Sequence, residues 1–283
     1  MKILVTGSNG QLGNEIKVLS TLYPNFEFLF HDVDSLDITN KEQLKTFFEQ
    51  QQPQWLVNCA AYTAVDKAES DYDIALLING KAVENLAEAA LISKAKIIHI
   101  STDYVFDGTA NLPYKEEDSI NPVSAYGKSK LAGEKALKGN KNAVIIRTSW
   151  LYSAFGNNFV KTMIRLGKEK DQINVVFDQI GTPTYALDLA RAILDIIAQE
   201  DKNFTPGIYH YSNEGVCSWY DFAQEIMSHK GLSCKVNPVE SSEFPSPTKR
   251  PAFSVLNKKK IKTTFGISIP YWKDSLMHCL TRL

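Results

Sequence analysis

The stretch VTGSNGQLGNEI, Val5–Ile16, follows a short apolar run and places Gly7, Gly10 and Gly13 three residues apart. Glycine permits a tight turn, lets backbone N–H groups approach a pyrophosphate, and lets the following helix pack closely on its strand. The N-terminus of that helix adds a dipole that favours an anion. The stretch therefore predicts a strand, a turn and a helix that together bind a dinucleotide. A tight turn without a ligand is the plainer alternative.

An acidic residue follows the next predicted strand. Asp32 ends FEFLFHD and lies nineteen residues after Gly13, close to the spacing at which a carboxylate accepts hydrogen bonds from the adenosine ribose. A carboxylate at this place repels a 2′-phosphate, which favours NADH over NADPH without deciding between them. Asp34 is the alternative ribose ligand, and Asp32 could also be a simple turn residue.

Short apolar runs alternate with longer helical segments through the first two thirds of the chain, which is typical of a parallel sheet built from βαβ units. Each run is nearly all apolar, as expected for strands covered by helices on both faces. The predicted fold class is α/β, a Rossmann-like doubly wound parallel sheet with a smaller α/β substrate lobe towards the C-terminus. The predicted strands are KILVTG, FEFLFH, WLVNCA, KIIHIS, AVIIRT and INVVFD, and helices are predicted to begin near Gln11, Thr39, Ser70, Ser124 and Asn157.

The character of the sequence changes after about Asp201, where FPSPTKRP is rich in proline and strands are harder to identify. An amphipathic helix is still predicted over Trp219–Lys230. The dinucleotide-binding domain is therefore predicted to cover 1–150 and about 171–200. The substrate-binding lobe is predicted to cover 151–170 and 201–283, with approximate boundaries.

Bulk composition excludes several classes of protein. The chain has 283 residues, 44% of them hydrophobic, and a net charge of -1, so it can bury a large core and gives no electrostatic reason to expect nucleic acid or a membrane surface as a partner. Its four cysteines form no CxxC pair and its histidines no HExxH, so neither a disulfide framework nor a zinc site is predicted. No apolar stretch is long enough for a signal sequence or a bilayer span, and a soluble, cytoplasmic protein is expected.

The segment SAYGKSKLAGEKAL, 124–137, places Tyr126 and Lys130 four residues apart, on one face of a predicted helix. Spacing alone is more typical of a solvated, lysine-rich helix. If the two side chains act together, the phenol is a proton donor and the cation lowers its pKa. A lowering by three units requires about 4 kcal/mol, and a cation about 4 Å away supplies about that much at an effective dielectric constant of 20. Lys128 and Lys135 are interpreted as solvated.

Eight segments resemble, in order, the dTDP-4-dehydrorhamnose reductase family of the extended short-chain dehydrogenase/reductase superfamily. They are GSNGQLG, LDITN, NCAAYTAVDKAE, STDYVFDG, YGKSKLAGE, RTSWLY, GNNFVKTM and DQIGTPT, and RPAFSVLN continues the likeness nearer the C-terminus. The resemblance implies an enzyme that transfers hydride from NADPH or NADH to the C4 carbonyl of dTDP-4-dehydro-L-rhamnose, giving dTDP-L-rhamnose. It also implies that Thr102 hydrogen-bonds the carbonyl, Tyr126 donates the proton, and Lys130 assists the phenol and holds the nicotinamide ribose.

The resemblance further implies a set of binding residues. Those implied for the cofactor are Gly7, Gly10, Gln11, Leu12, Gly13, Asp32, Asp37, Ile38, Ala61, Tyr62, Thr63, Tyr126 and Lys130. Those implied for the sugar nucleotide are Thr102, Asp103, Tyr104, Trp150, Asn158 and Arg250. Plainer alternatives are a helix cap for Asp37, a turn for Asp103 and the core for Trp150. No metal ligand is assigned; Glu15 lies on the first predicted helix, and the sequence does not decide whether magnesium is required.

Two alternative functions stay open from the sequence. Another reductase or epimerase of a nucleotide sugar would use the same Thr-Tyr-Lys set. A relative of these reductases serves as a regulatory subunit of methionine adenosyltransferase, so a non-catalytic subunit is the alternative from a different class. The expected partners are a dTDP-sugar and, in a homodimer, a second copy of the chain; nucleic acid and membrane are not expected.

Overall fold

The computed structural model describes residues 1–199, 204–244 and 246–283. In chain order, the strands are β1 Lys2–Thr6, β2 Glu27–Phe30, β3 Trp55–Asn58, β4 Lys96–Thr102, β5 Ala143–Thr148, β6 Leu151–Tyr152, β7 Gln172–Val176, β8 Ile180–Gly181, β9 Thr184–Tyr185, β10 Gly207–His210, β11 Cys217–Ser218 and β12 Lys235–Val239. The helices are α1 Gln11–Ser20, α2 Lys41–Gln51, α3 Tyr72–Leu76, α4 Ala82–Ser93, α5 Ala125–Ala136, α6 Phe159–Glu169, α7 Ala186–Ala198, α8 Trp219–His229, α9 Lys259–Phe265 and α10 Trp272–Thr281.

The central sheet of the described residues has six parallel strands in the order β10-β5-β4-β3-β1-β2. From β1 the chain adds β2 on one side and then β3, β4 and β5 on the other. The strand order therefore reverses between β1 and β3, and open α/β sheets bind ligands outside the carboxyl ends of their strands at such a switch point. The predicted doubly wound α/β class is confirmed.

Both faces of the sheet are covered, which explains the nearly continuous apolar strands. Along β1, Ile3 and Val5 belong to one buried apolar cluster, which includes side chains from α1 and α7. Leu4 between them belongs to another, which includes side chains from α2 and α4. Burial of apolar area of this kind is the main favourable contribution to folding.

One predicted strand pairs elsewhere than expected. INVVFD does form a strand, β7, but it pairs in parallel with β12 and lies outside the six-stranded sheet. Its side chains alternate between exposed and buried positions, so only one of its faces is covered. The edge strand beside β5 is instead β10, whose sequence GIYH contains too few apolar residues to be recognised and falls within the range assigned to the substrate lobe. The division of the chain into two domains stays a prediction.

Helix starts follow the predicted caps closely. Helix α1 begins at Gln11, as predicted. Ser124 precedes α5, and its hydroxyl accepts a hydrogen bond from Gly127 N at 3.1 Å, which satisfies one free N–H group of the first turn. The caps of α2 and α6 are asparagines, Asn40 and Asn158, each one residue beyond the predicted start.

A partly buried ion pair links Arg282, in the last residues of the described chain, to Glu15 of α1. Arg282 Nη1 donates to Glu15 Oε1 at 3.0 Å and to Oε2 at 2.8 Å, and Ser153 Oγ donates to the same carboxylate at 2.6 Å. The Glu15 side chain is fully buried. Across the described ranges, no group of three or more His, Cys, Asp or Glu could hold a metal ion. No helix within them has both the length and the apolar character required to cross a membrane.

Arg282→Met is expected to lower the free energy of unfolding by about 3 kcal/mol, because it leaves the buried Glu15 carboxylate without its cation. Glu15→Gln/Arg282→Met removes both charges and should regain most of that loss. Urea denaturation of the three proteins at pH 7 measures both effects. A single variant as stable as the wild type would contradict the assigned role of the pair.

Candidate active site

A cleft of about 1070 Å³ lies along the carboxyl edge of the central sheet. Its walls include residues that end or follow each of the strands β1 to β5, so it lies at the reversal of strand order where such folds bind ligands. Fifteen residues assigned to the site from sequence line this one cleft: Gly7, Gly10, Gln11, Leu12, Asp32, Asp37, Ile38, Ala61, Thr63, Thr102, Asp103, Tyr104, Tyr126, Lys130 and Trp150.

The three glycines of the first turn meet different demands. Gly7 has φ +63°, and a Cβ there would lie 2.5 Å from Ala60 N, the backbone that follows β3. A Cβ on Gly13 would lie 2.5 Å from Ser8 Cα, so Gly13 lets α1 pack against the turn. Gly10 has more room and lines the cleft. Gly7 and Gly13 are therefore required by close backbone packing, and Gly13 itself lies outside the cleft wall.

The start of α1 fits the pyrophosphate of a dinucleotide. No side chain caps the helix at Gly10, and the first turn, 11–14, carries no acidic residue. Its free N–H groups and the helix dipole therefore favour an anion at this point of the cleft. Gln11 and Leu12 line the cleft beside it.

The residues predicted to bind the adenosine part of the cofactor also line the cleft. Asp32 lines it, and its Oδ2 accepts a hydrogen bond from Asn9 N at 2.8 Å. The same carboxylate thus anchors the glycine turn and borders the cleft. Asp37 and Ile38 line the cleft too, although the Asp37 carboxylate also caps its own turn. Asp34, the alternative ribose ligand, is not part of the cleft wall.

Thr102, Tyr126 and Lys130 converge where β4 meets α5. The Thr102 hydroxyl lies near enough to the Tyr126 phenol to lower its pKa, and Lys130 Nζ donates to the carbonyl oxygen of Ile100 at 2.6 Å. Helix α5 is held in place at its N-terminus, where Ala125 N donates to Glu69 Oε1 at 3.0 Å. The arrangement presents a hydroxyl, a phenol and an ammonium group to one cleft.

The expected direction of the Tyr126 pKa shift is wrong for this structure. Burial raises the pKa of the phenol, and the charge of Asp103 raises it further, whereas the nearby Thr102 hydroxyl acts in the opposite direction. The Lys130 ammonium points to a backbone carbonyl and is not among the groups of the described chain that shift this pKa. The expectation from sequence considered only the attraction of the cation, and it left out the desolvation of the phenol on burial. That desolvation decides the direction of the pKa shift. Tyr126 is therefore a neutral phenol at neutral pH, the form that a proton donor needs.

Asp103 is a buried acid directly beside the reactive hydroxyls. It exposes 3% of its surface, and its Oδ1 accepts a hydrogen bond from Thr102 Oγ1 at 2.9 Å. Burial raises the pKa of this carboxyl to about 7, against hydrogen bonds with Thr102 and Ser254 that lower it. Because the native pKa exceeds that of an unfolded Asp, about 3.9, the native state holds an extra proton between about pH 4 and pH 7. Stability is therefore lost as the pH rises through that window.

Asp103→Asn is expected to be more stable than the wild type at pH 8, by about 2 to 4 kcal/mol, and nearly equal to it at pH 4. The amide cannot ionise, so it avoids the cost of a buried charge at high pH. Chemical denaturation of both proteins at the two pH values measures the difference. A stability difference that does not grow with pH would show that Asp103 titrates normally.

Tyr104 connects the cleft to Arg250. The rings of Tyr104 and Tyr126 meet edge to face with centroids 5.5 Å apart, and the Arg250 guanidinium lies near enough to the Tyr104 phenol to lower its pKa. Arg250 Nη2 also pairs with Asp66 Oδ2 at 3.0 Å. Arg250 and its neighbour Lys249 line a second cleft of about 1190 Å³ and not the first one.

Trp150 and Trp219 stack where the two clefts adjoin. Their ring centroids lie 3.6 Å apart with planes at 8°, and Trp219 lines both clefts. Trp150 adopts a left-handed backbone with φ +49°, a strained state that proteins retain mainly at functional sites. A Cβ on Gly181 would come within 2.6 Å of its ring. Trp219 was not predicted as a site residue from the sequence; an aromatic residue at the first position of an amphipathic helix was the available signal.

Asn158 and Tyr62 do not line either cleft. Asn158 caps α6, and its amide donates to Gln11 Oε1 at 3.0 Å and to Ser153 O at 2.8 Å. The Tyr62 phenol donates to Asp71 Oδ2 at 2.9 Å. Binding roles for both side chains stay predictions, and in this structure their polar atoms are used within the protein.

Asn79 is a buried residue that the sequence analysis missed. It lies in the π-helical turn Leu77–Lys81, a local form often found at functional sites. Its amide donates to Tyr62 O at 3.0 Å and to Ser129 Oγ at 3.0 Å, and its Oδ1 accepts from Tyr62 N at 2.9 Å. Asn79 thereby fastens the cleft loop after β3 to the helix that carries Tyr126. An asparagine within the apolar run ALLING was the only signal in the sequence.

Comparison with known proteins gives a consistent set of relatives. Residues 1–283 match the family described as RmlD substrate binding domain. A curated dTDP-4-dehydrorhamnose reductase of Aggregatibacter actinomycetemcomitans is 42% identical, and the match covers 97% of each chain. The crystal structure of a dTDP-4-dehydrorhamnose reductase from Clostridium acetobutylicum is 49% identical, with a TM-score of 0.95 over 99% of each chain. That of the Bacillus anthracis reductase in complex with NADP is 40% identical, with a TM-score of 0.94 over 100% of this chain and 99% of the other.

Proposed function

The chain belongs to the RmlD substrate binding domain family, and we propose that it reduces the C4 carbonyl of dTDP-4-dehydro-L-rhamnose with a reduced nicotinamide, giving dTDP-L-rhamnose. The observation that carries the proposal is the convergence of Thr102, Tyr126 and Lys130 in the cleft that the glycine turn opens onto. The names of the close relatives support the same substrate. They lend no support to an epimerase or to a non-catalytic subunit.

The residues of the cleft fit a dinucleotide along its whole length. When bound, the reduced nicotinamide supplies the hydride. The N-terminus of α1 would bind the pyrophosphate, Asp32 would accept hydrogen bonds from the adenosine ribose, and Lys130 would donate to the nicotinamide ribose. These contacts fix the cofactor relative to Tyr126 and Thr102, and such positioning is a large part of catalysis.

Tyr126 and Thr102 act on the substrate oxygen. The Tyr126 phenol donates a hydrogen bond to the C4 carbonyl oxygen, and the Thr102 hydroxyl turns from Asp103 to donate a second one. As the carbonyl carbon gains the hydride, its oxygen becomes an alkoxide and takes the proton of Tyr126. An alkoxide is a stronger base than a phenolate, so this transfer is favourable even though burial raises the pKa of the phenol. The phenolate then regains a proton from solvent.

The nucleotide part of the substrate occupies the second cleft in this proposal. Arg250 and Lys249 line it, and a guanidinium suits a diphosphate because it can form two parallel hydrogen bonds. The stacked pair of Trp150 and Trp219 lies between this cleft and Tyr126. The sugar therefore extends past the indoles to reach the proton donor. The homodimer and the cytoplasmic location stay predictions.

Both NADH and NADPH are proposed as cofactors, with NADH favoured, because the Asp32 carboxylate lines the cleft where the adenosine ribose is proposed to bind and would repel a 2′-phosphate there. Asp32→Ala is expected to raise the ratio of kcat/KM for NADPH over NADH about tenfold, equal to about 1.4 kcal/mol of relieved repulsion. Steady-state rates with each cofactor measure the ratio. Asp34→Ala is the control and should leave the ratio unchanged. An unchanged ratio in Asp32→Ala would show that Asp32 does not determine the preference between NADH and NADPH.

A cofactor-oxidation assay with dTDP-4-dehydro-L-rhamnose tests the proposed function. The assay is run with NADH and with NADPH, and we expect oxidation of at least one of them that requires the sugar nucleotide. Turnover only with other nucleotide sugars would favour a different reductase or epimerase. Binding without turnover of any of them would favour a regulatory subunit.

A further inference from the structure

A buried ion pair lies directly behind the proposed catalytic residues. Glu134 lies one helical turn after Lys130 on α5, and its carboxylate accepts from Arg147 Nε at 2.8 Å and from Nη2 at 2.7 Å. Ser101 Oγ donates to the same carboxylate at 2.6 Å. Each of these three side chains is at least nine-tenths buried. Burying two charges is costly and adds little stability compared with apolar residues, so the position of the pair points to a role in the site.

The pair connects α5 to both strands that carry the cleft. Ser101 of β4 and Arg147 of β5 are register partners in neighbouring strands. The residues that follow them, Thr102 and Thr148, line the cleft. Glu134 therefore holds the catalytic helix against β4 and β5 at the level of the reacting groups.

Lys130 is held next to this anchor. Its Nζ donates to Ile100 O at 2.6 Å, and Ile100 immediately precedes the Ser101 that Glu134 accepts from. Two side chains one turn apart on α5 thus contact two consecutive residues of β4. This double attachment fixes where the ammonium lies along the strand.

The charge of Glu134 acts directly on Lys130. Burial lowers the pKa of Lys130 to about 8, and the Glu134 carboxylate opposes that lowering. Cys59, at the end of β3, also faces Lys130, but burial raises the pKa of its thiol to about 12. His99 of β4 has its pKa lowered by burial and by Lys130. Both groups are uncharged at neutral pH, so Glu134 is the anion among them that favours the lysine cation.

Two further groups lie close to the Arg147 guanidinium. Arg147 is the bidentate partner of Glu134, and the guanidinium carbon of Arg147 lies 5.0 Å from the centroid of the Phe106 ring. His210 lies near Arg147, and its pKa is lowered to about 3, first by burial and then by that cation. His210 is therefore neutral and adds no second cation beside the Arg147–Glu134 pair.

We propose that Glu134 is a positioning residue for the reduction: it keeps the Lys130 ammonium charged and fixed at the cleft, with Arg147 as its internal counter-ion. The role rests on the proposed function, because the cation that Glu134 maintains is the one proposed to hold the nicotinamide ribose. Glu134 acts through Lys130 and does not touch the substrate.

The test removes both charges together, because removing one would leave the other buried and unpaired. In Glu134→Gln/Arg147→Gln, the alkaline limb of kcat/KM is expected to move to lower pH by about one unit, since a neighbouring charge shifts a pKa by about that much. The Lys130 side chain is titrated independently of activity by NMR of protein labelled with ¹³C-lysine, its signal assigned from its loss in Lys130→Met. Its midpoint should fall by the same amount.

Two controls separate positioning from general damage. Glu134→Asp keeps the charge, so it should lower the rate while leaving the alkaline limb where it is. Glu15→Gln/Arg282→Met removes another ion pair and should leave the Lys130 midpoint unchanged. If the Glu134→Gln/Arg147→Gln protein does not fold, Glu134→Leu/Arg147→Met repeats the test with apolar side chains.

An unchanged titration midpoint of Lys130 in the Glu134→Gln/Arg147→Gln protein overturns the proposal. A lower midpoint with no change in the pH profile of kcat/KM also overturns it. A wild-type protein that does not turn over dTDP-4-dehydro-L-rhamnose contradicts the proposed function instead. The NMR titration still measures the effect of Glu134 on Lys130 in that case, so the two failures are distinguishable.

Discussion

Tyr126→Phe is expected to lower kcat for the sugar nucleotide about a thousandfold, within the range that general acid catalysis contributes. The phenylalanine keeps the ring and its edge-to-face contact with Tyr104 but has no proton to give to the C4 oxygen. Stopped-flow or steady-state oxidation of NADH measures the rate. The dissociation constant of NADH should stay within about twofold, because the ring contributes no charge to cofactor binding.

Tyr104→Phe is the matched control for this loss. It removes the second phenol of the same cleft, which lies near the Arg250 guanidinium, and it should cost at most about tenfold, mainly through KM. Equal losses in the two variants would show that neither phenol is the proton donor. A Tyr126→Phe enzyme as fast as the wild type would contradict the assignment outright.

Gly13→Ala is expected to weaken NADH binding about a hundredfold, because a Cβ at this position lies 2.5 Å from Ser8 Cα and 2.6 Å from Gly7 O. Backbone atoms cannot yield as a flexible side chain does, so α1 must move away from the turn. Overpacking of this kind costs about 1–3 kcal/mol, and here it displaces the N–H groups proposed to bind the pyrophosphate. Fluorescence titration with NADH measures the affinity.

Gly266→Ala controls for the general effect of a methyl group on a glycine. Gly266 ends α9 with φ +65°, and a Cβ there has no atom within 4 Å. The change strains the backbone and lowers stability, but it should leave the affinity for NADH unchanged. A similar loss of affinity in both variants would mean that Gly13 acts only through global stability.

Local signals predicted the parts of the fold that depend on neighbouring residues. The glycine turn before α1 and the serine cap of α5 were readable because their geometry is decided within a few residues. Strand β10 was not, because its place beside β5 depends on a pairing between residues more than sixty positions apart. A strand of sequence GIYH contains no periodic pattern that would reveal it.

The same division holds at the site. The shared face of Tyr126 and Lys130 follows from helical spacing, and the cleft contains both. The direction of the Tyr126 pKa shift required the burial of the phenol, which only the packed structure supplies. The π-helical turn at Asn79 and the stack of Trp150 on Trp219 also arise from tertiary contacts. The reacting residues could therefore be predicted from the sequence, whereas the direction of their pKa shifts required the structure.

The most direct measurement of the central claim follows the hydride itself. In parallel reactions, the protein is incubated with dTDP-4-dehydro-L-rhamnose and either NADH or NADPH that carries deuterium at both positions of the nicotinamide C4, and the product is analysed by NMR and mass spectrometry. The proposed reaction predicts dTDP-L-rhamnose with one deuterium at C4 of the sugar. Absence of turnover with both cofactors, or a product with deuterium at any other carbon, would contradict it.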